Sequence, residues 1–225
     1  MEYSYRAEGT SNDELIDRLK EYGIVQSEVV ERVMRAVDRG NFAASPEEAY
    51  LDRPHSIGSG QTISAPHMHS MCLELLKEHA VPGAKVLDVG SGSGYLCACL
   101  GHMVGETGKV IGIDRLSHLV RWSTKNLKKD CPQFLESGRV VLKEGDGWKG
   151  EPAEAPFDCI HVGAAAATLP EALVQQLKQG GRLVIPVGES EQALLQVDKD
   201  KNGRVTTKKI MGVRYVPLVK ESNFE

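Results

Sequence analysis

The chain has 225 residues, 41% of them hydrophobic and 26% charged, with a formal net charge of −4 at pH 7. That is enough chain for one well-filled α/β domain with short accessory elements, and its mild acidity leaves no electrostatic footprint for nucleic acid or an anionic membrane. No apolar run approaches the roughly 20 residues of a membrane span, and Met1 to Glu8 carries charges with no apolar stretch of a secretory signal.

Ser11-Asn12-Asp13-Glu14 reads as a capping box, and Leu15, Ile16 and Leu19 give the helix that follows an apolar stripe. A second helix is predicted from Ser27, with Val29, Val30, Val33, Met34 and Val37 at helical spacing and Gly40 as its end. Lys20, Arg32, Arg35 and Arg39 are interleaved with acids, which predicts a solvated face and not a DNA-binding helix pair. Asn41 to Ala65 has no helical period, and Ile57 to Ser64 is glycine-rich and polar. Pro66 suits the first turn of a helix whose stripe is Met68, Cys72, Leu75 and Leu76, so Ser64 falls near an N-cap and by itself reads as a capping serine. His67 and His69 read as surface or polar-contact histidines. Without a third ligand they make no metal site, and none is expected.

The chain is organised around Val86 to Tyr95, Val-Leu-Asp-Val-Gly-Ser-Gly-Ser-Gly-Tyr. Val86, Leu87 and Val89 predict a short buried strand, and Tyr95 to Val104 returns to helical spacing. Gly90, Gly92 and Gly94 therefore lie between a strand and a helix, where backbone N–H groups exposed at a strand's carboxyl end suit a nucleotide-like ligand. The spacing is G-x-G-x-G; the third glycine of a dinucleotide fingerprint is replaced by Tyr95, and the G-K-[ST] of a P-loop is absent. No Lys or Arg stands beside the loop, and Asp88 precedes it, which favours a ligand carrying an ammonium and a sulfonium over a phosphate.

Beyond the loop, strands and helices alternate. Lys109 to Asp114, Arg139 to Lys143, Phe157 to Val162 and Arg182 to Val187 read as strands. Leu119 to Leu127 and Pro170 to Gln179 read as helices, the latter closed by Gly180-Gly181. The pattern predicts an α/β, Rossmann-like, doubly wound and mostly parallel sheet with helices on both faces. Ala193 to Val197 and Arg204 to Ile210 read as a hairpin joined through Asn202-Gly203, a dipeptide also prone to succinimide formation. One domain is expected: residues 1–80 with the N-terminal helices and a substrate and cofactor loop, 81–190 as the cofactor-binding core, and 191–225 as a β extension. Asp114, at the end of the strand after the loop, is placed to accept from ribose hydroxyls. Asp146, between two glycines, reads equally as a turn aspartate or as an acceptor for an adenine amine. Cys72, Cys97, Cys99, Cys131 and Cys159 are odd in number, lack zinc spacing and sit mostly in apolar surroundings, which predicts free buried thiols and a cytosolic location.

Asp88-x-Gly90-x-Gly92-x-Gly94 resembles motif I of the class I S-adenosylmethionine-dependent methyltransferases. With Thr62-Ile-Ser-Ala-Pro-His-Met-His69, Gly108 to Asp114, Gly145-Asp-Gly147, Phe157 to Ala166, Gly180 to Gly188 and Met211 to Leu218, the chain resembles the protein-L-isoaspartate (D-aspartate) O-methyltransferases from about its first helix to near its C-terminus. The resemblance implies methyl transfer from S-adenosylmethionine to the α-carboxylate of L-isoaspartyl residues, and less efficiently to D-aspartyl side chains, in damaged proteins and peptides, with S-adenosylhomocysteine as product. It puts the active-site serine on Ser64. Cofactor contacts fall on Thr62, Ile63, His69, Asp88, Gly90, Ser91, Gly92, Asp114, Arg115, Asp146 and Gly147, with Gln61, Ser64, Val213 and Val219 toward substrate. Arg115 stands where relatives often have histidine. A monomer is expected, with no nucleic-acid or membrane partner. The rival readings are a class I methyltransferase with another acceptor, a nicotinamide oxidoreductase and a catalytically silent cofactor-binding module.

Overall fold

A computed structural model describes residues 7–219. The chain end beyond Val219 and most of the charged N-terminal stretch lie outside the described residues. Helix α1 (Asn12–Glu21) starts where expected, with Ser11 Oγ accepting from Glu14 N. The Glu14 carboxylate reaches one residue further back than a capping box requires, to the N–H and hydroxyl of Thr10, both at 2.8 Å. Helix α2 (Glu28–Ala36) stops four residues before Gly40, because Val37 turns extended and Asp38 caps a separate short turn over Arg39–Asn41. Lys20 and Arg35 pair with acids at the surface as the charge pattern predicts. Arg39 does not: its side chain is completely buried, a correction taken up below.

The stretch without helical period forms a small hairpin, β1 (His55–Gly58) with β2 (Gln61–Ile63), whose tip residues Ser59 and Gly60 both have positive φ. Ser59 Oγ meets His118 Nε2 at 2.9 Å, which rests the tip on the start of a later helix. Helix α3 (Pro66–Leu76) begins at the proline with Ala65 as its N-cap, so Ser64 lies outside the cap and its hydroxyl is not spent on it.

Seven strands make one sheet in the order β5-β4-β3-β6-β7-β8-β9. They are β3 (Lys85–Val89), β4 (Lys109–Asp114), β5 (Val140–Glu144), β6 (Phe157–Val162), β7 (Leu177–Val187), β8 (Gln192–Lys199) and β9 (Val205–Val213). Strands β3 to β7 run parallel, β8 runs antiparallel to β7, and β9 runs antiparallel to β8. Alternation buries both faces: Leu87, Val89, Ile111, Ile113, Ile160 and Val162 enter one core layer, while Val86, Val110 and Cys159 enter the other. Helices α3, α4 (Tyr95–Met103), α5 (Ser117–Asp130) and α6 (Pro132–Glu136) pack into the second layer, and α7 (Glu171–Gln176) into the first. This is the doubly wound arrangement expected.

Helix α7 is shorter than predicted. The Gln176 amide is drawn to Lys149 O and Glu151 N, β7 begins at the next residue, and Gly180-Gly181 fall within the irregular stretch of its pairing with β6. After β9 the chain returns to the sheet's centre, where Ala165 N donates to Val216 O at 2.8 Å and Leu218 N to Ala165 O at 2.7 Å.

Asn202-Gly203 lies in the β8–β9 turn, held by Asp200. Gly203 N donates to Asp200 O at 3.0 Å, and the N–H groups of Asn202 and Arg204 donate to Asp200 Oδ1 at 2.8 and 2.9 Å. Succinimide closure needs the Gly203 nitrogen free to attack the Asn202 side chain, so the turn protects this dipeptide. Asp200→Ala is expected to raise the rate of Asn202 deamidation several-fold, followed by peptide mapping of incubated protein. An unchanged rate would show that the turn gives no protection.

Candidate active site

Strand order reverses direction between β3 and β6, and this is where an open α/β sheet parts at its carboxyl ends to leave a crevice. Gly90, Gly92 and Gly94 carry φ of 71°, 52° and 85°, a left-handed run that side chains would oppose. The loop turns its amides inward. Gly90 N and Ser91 N donate to Ile113 O at 2.8 and 3.0 Å, and Gly92 N donates to Asp114 Oδ2 at 3.0 Å. The expectation of exposed N–H groups under a ligand is thereby corrected for Gly90, Ser91 and Gly92, whose N–H groups the end of β4 takes, and for Gly94, whose N–H goes to Ser91 O.

Two cavities of about 420 and 340 Å3 flank Gly90, which lines both. The first is walled by Gln61, Asp114, Arg115, Gly147 and Leu218. Burial raises the Asp114 carboxyl above its ordinary pKa, against the hydrogen bonds from Leu116 N and Gly92 N that lower it. Each Asp114 oxygen has one of these donors, which leaves acceptor capacity toward the cavity. Asp146 is the turn aspartate that the sequence allowed, and it also stands at an opening. Its Oδ1 caps its own turn through Trp148 N at 2.9 Å, and the residue lines an adjoining opening with Arg115, Glu144 and Val219. A Cβ on Gly147 would stand 2.7 Å from Leu218 Cδ1 and 2.8 Å from Val89 Cγ1, so the returning C-terminal segment packs directly on this glycine. Trp148 Nε1 secures that segment by donating to Leu218 O at 2.9 Å. Pro217 and Leu218 join the first cavity from far along the chain, which local sequence did not signal.

The second cavity is walled by Thr62, Ile63, Ser64, His69, Asp88, Ser91, Gly92 and His161. Ser91 Oγ is buried here with no hydrogen-bond partner among the described residues. A polar ligand group is what such an orphan requires. Asp88 is engaged from within: His161 Nδ1 meets Oδ1 at 2.7 Å and Cys97 Sγ donates to Oδ2 at 3.0 Å. Burial alone would depress the His161 pKa, but hydrogen bonding to Asp88 and Cys72 outweighs it and raises the ring to about 10. His161 is thus an imidazolium at neutral pH, facing a carboxylate. The sequence reading missed it, although period-2 alternation would place it on a single face of β6 with Cys159.

His69 behaves oppositely. Burial, then the Arg39 charge, holds it well below the ordinary histidine range, and its ring stacks 4.8 Å from Tyr95. His67 is the polar-contact histidine expected, with its N–H and Nδ1 at 2.9 and 2.8 Å from Asp52 Oδ1.

A third space, a cleft of about 630 Å3, is lined by Pro54, Met68, Met211, Val213 and Tyr215 together with Thr62 and Ser64. Thr62 and Ser64 therefore border both the second cavity and the cleft. The Tyr215 side chain interacts with Ser64 and Cys72, and burial, then Cys72, keeps its hydroxyl protonated well above the ordinary phenol range. Of the residues assigned to substrate, the structure puts Ser64 and Val213 at the cleft but Gln61 and Val219 at the first cavity and its opening. The hairpin and the returning C-terminus carry those two away from the cleft.

A glycine loop at the switch point, an acid at the end of the next strand facing a cavity, and two cavities joined at Gly90 fit the class I methyltransferase architecture. Residues 10–223 match the family described as Protein-L-isoaspartate(D-aspartate) O-methyltransferase (PCMT). Protein-L-isoaspartate O-methyltransferase 1 of Arabidopsis thaliana is 51% identical over 92% of this chain and 90% of its own. The Caenorhabditis elegans protein-L-isoaspartate O-methyltransferase is 46% identical over 96% and 95%. A Plasmodium falciparum structure of that name, solved with S-adenosyl-L-homocysteine, superposes with a TM-score of 0.88 at 36% identity, covering 95% of this chain and all (100%) of that one. The chain belongs to the protein-L-isoaspartate (D-aspartate) O-methyltransferase family.

The His161–Asp88 contact has a consequence for stability. The folded His161 pKa, about 10, lies above the ordinary 6.5, so its contribution is fully present below pH about 6.5 and is lost as pH rises toward 10. His161→Asn is expected to lower stability at neutral pH by about 3–5 kcal/mol, since it leaves the Asp88 carboxylate buried without its cation. It should also flatten the fall in melting temperature between pH 7 and 10. A variant retaining the same slope would show that His161 is not the titrating group.

Proposed function

We propose that the joined cavities hold S-adenosylmethionine and that the cleft presents an L-isoaspartyl residue, or a D-aspartyl side chain, of a damaged protein or peptide to it across Ser64. The observation that carries this reading is the shared wall, Thr62 and Ser64, between the second cavity and the cleft. When bound, S-adenosylmethionine supplies a methyl group on a positive sulfur. Asp114 accepts from the ribose hydroxyls in the first cavity, with Arg115 beside it, and Asp146 and Gly147 bound the adenine. Thr62, Ile63, His69, Gly90, Ser91 and Gly92 surround the methionine end, where the unpartnered Ser91 hydroxyl fits a polar group. Asp88, already held by His161 and Cys97, shapes that end from beneath.

The acceptor carboxylate is ionised at pH 7, so it needs no general base. Ser64 donates a hydrogen bond to one carboxylate oxygen and leaves the other to attack in line, while Tyr215 supports the serine from the cleft side. Catalysis then rests on positioning and on keeping water out. Met68, Met211, Val213 and Pro54 give the cleft an apolar wall suited to an extended segment with varied neighbours. The five buried free cysteines support a reducing, cytosolic setting, and the scattering of the large exposed apolar residues among the described residues, Tyr22, Val81 and Val205, supports a monomer. We further read residues 81–190 as the donor-binding core, served by the flanking segments 1–80 and 191–225.

One peptide in isoaspartyl and normal aspartyl forms, incubated with methyl-labelled S-adenosylmethionine, tests the reading. Label is expected only in the isoaspartyl form, as a base-labile ester; transfer to neither, with donor bound, would sink it. Ser64→Ala should lower kcat about 100-fold while leaving donor affinity within about twofold. Equal loss of both would place Ser64 in donor binding alone.

A further inference from the structure

Among the described residues, Arg39 is the largest fully buried side chain, and no carboxylate forms an ion pair with it. Its nearest acid by charge, Asp52, is occupied with His67. Burying a guanidinium without a counter-ion is costly, and an apolar side chain of similar length would fill the space without that cost. What an apolar side chain could not supply is the set of bonds. Arg39 Nε donates to Ala49 O at 2.8 Å, Nη2 to Ser64 O at 2.8 Å, and Nη1 meets His69 Nδ1 at 3.1 Å. One planar fork thus grips the peptide of the proposed active-site serine and the ring of the histidine one turn further on.

The chemistry of the third bond is one-sided. A guanidinium has five donors and no acceptor, so the His69 Nδ1 that faces it must present a lone pair. The proton of the neutral ring then sits on Nε2, and the ring lines the second cavity. Burial and the neighbouring positive charge oppose a second proton. Tyr95, stacked on His69 and lying 5.7 Å from the Arg39 guanidinium, fixes the ring plane.

We propose that Arg39 is a positioning residue for methyl transfer, setting the Nε2–H tautomer of His69 toward the donor's methionine carboxylate and holding the Ser64 peptide at the wall between cavity and cleft. The proposal rests on the roles given above to Ser64 and His69. The alternative tautomer would aim a lone pair at an anionic group, turning a donor into a repulsive contact. Asp52 completes the clamp from the other side by holding His67 N and Nδ1, so the segment from Ser64 to His69 is fixed at both ends by residues of the preceding chain.

Long-range proton–nitrogen NMR of the uniformly nitrogen-15-labelled full chain reads the tautomer directly. Wild type is expected to show His69 protonated on Nε2 alone; a ring protonated on Nδ1, or on both nitrogens, would overturn the proposal without any variant. Arg39→Lys keeps the charge but not the fork. It should give mixed His69 tautomers, weaken S-adenosylhomocysteine binding about tenfold and lower kcat about tenfold. In a His69→Gln background, the effect of Arg39→Lys on that binding should disappear. If Arg39→Lys lowers only the melting temperature, with tautomer and affinity per folded molecule unchanged, Arg39 is structural and the proposal fails. Failure of isoaspartyl transfer would leave the tautomer and binding results standing, so the two ideas fall separately.

Discussion

The contact between Asp88 and His161 is the constraint from which the site is built. The two residues are direct register partners on β3 and β6, the strands that separate where the sheet changes direction. Two charged side chains side by side under two helices are tolerated because each has a second, compact partner, Cys97 from α4 donating to Asp88 and Cys72 from α3 accepting from the His161 ring. Above this contact the strands diverge: Gly90 leaves β3 toward β4, Gly163 N bonds back to Val89 O at 2.8 Å, and the space between becomes the crevice. A neutral pair would hold the strands less firmly, and an unpaired charge would not be buried at all.

The elements that were legible in the sequence are those fixed by local physics. The period-2 runs of β3, β4 and β6 and the glycine run after β3 need no distant partner to be recognised, and they sufficed for the fold class. Element ends were less legible, because tertiary contacts decided them. Helix α7 stops where the Gln176 amide is drawn to another loop, and Ser64 escapes the capping role because Ala65 precedes the proline as N-cap. The glycine loop itself shows the limit of motif reasoning: its spacing identified the site, whereas its amides point to β4 and not to a ligand.

Residues contributed from afar were invisible for a different reason. Arg39 sits four residues from Arg35 and seven from Arg32, surface neighbours of like charge, so its sequence context matches a solvated face. Only the turn after α2, which carries it inward beneath Ala49 and Ser64, separates it from Arg35. Gln61 and Val219 stand away from the cleft that Ser64 and Val213 line, because a hairpin only a few residues long carries Gln61 and the returning C-terminus carries Val219 to the first cavity. Resemblance pointed to Ser64, and the structure shows that this serine borders two spaces at once.

That double border bears on the chemistry. Joining a carboxylate to the methyl of a sulfonium removes one negative and one positive charge, so water, which stabilises the separated ions most, slows the step, and a less polar enclosure favours it. The site meets this need by neutralising its own charges. The His161 cation faces Asp88, the Arg39 cation is spent on two carbonyls and a ring nitrogen, and His69 stays uncharged, leaving hydrogen-bond donors and apolar surface around the reacting atoms. A general base would add a further charge at that place and gain nothing, because the acceptor is already ionised. The absence of a nucleophile elbow around Ser64 accords with the role proposed for it, in which the serine has only to hold a carboxylate still.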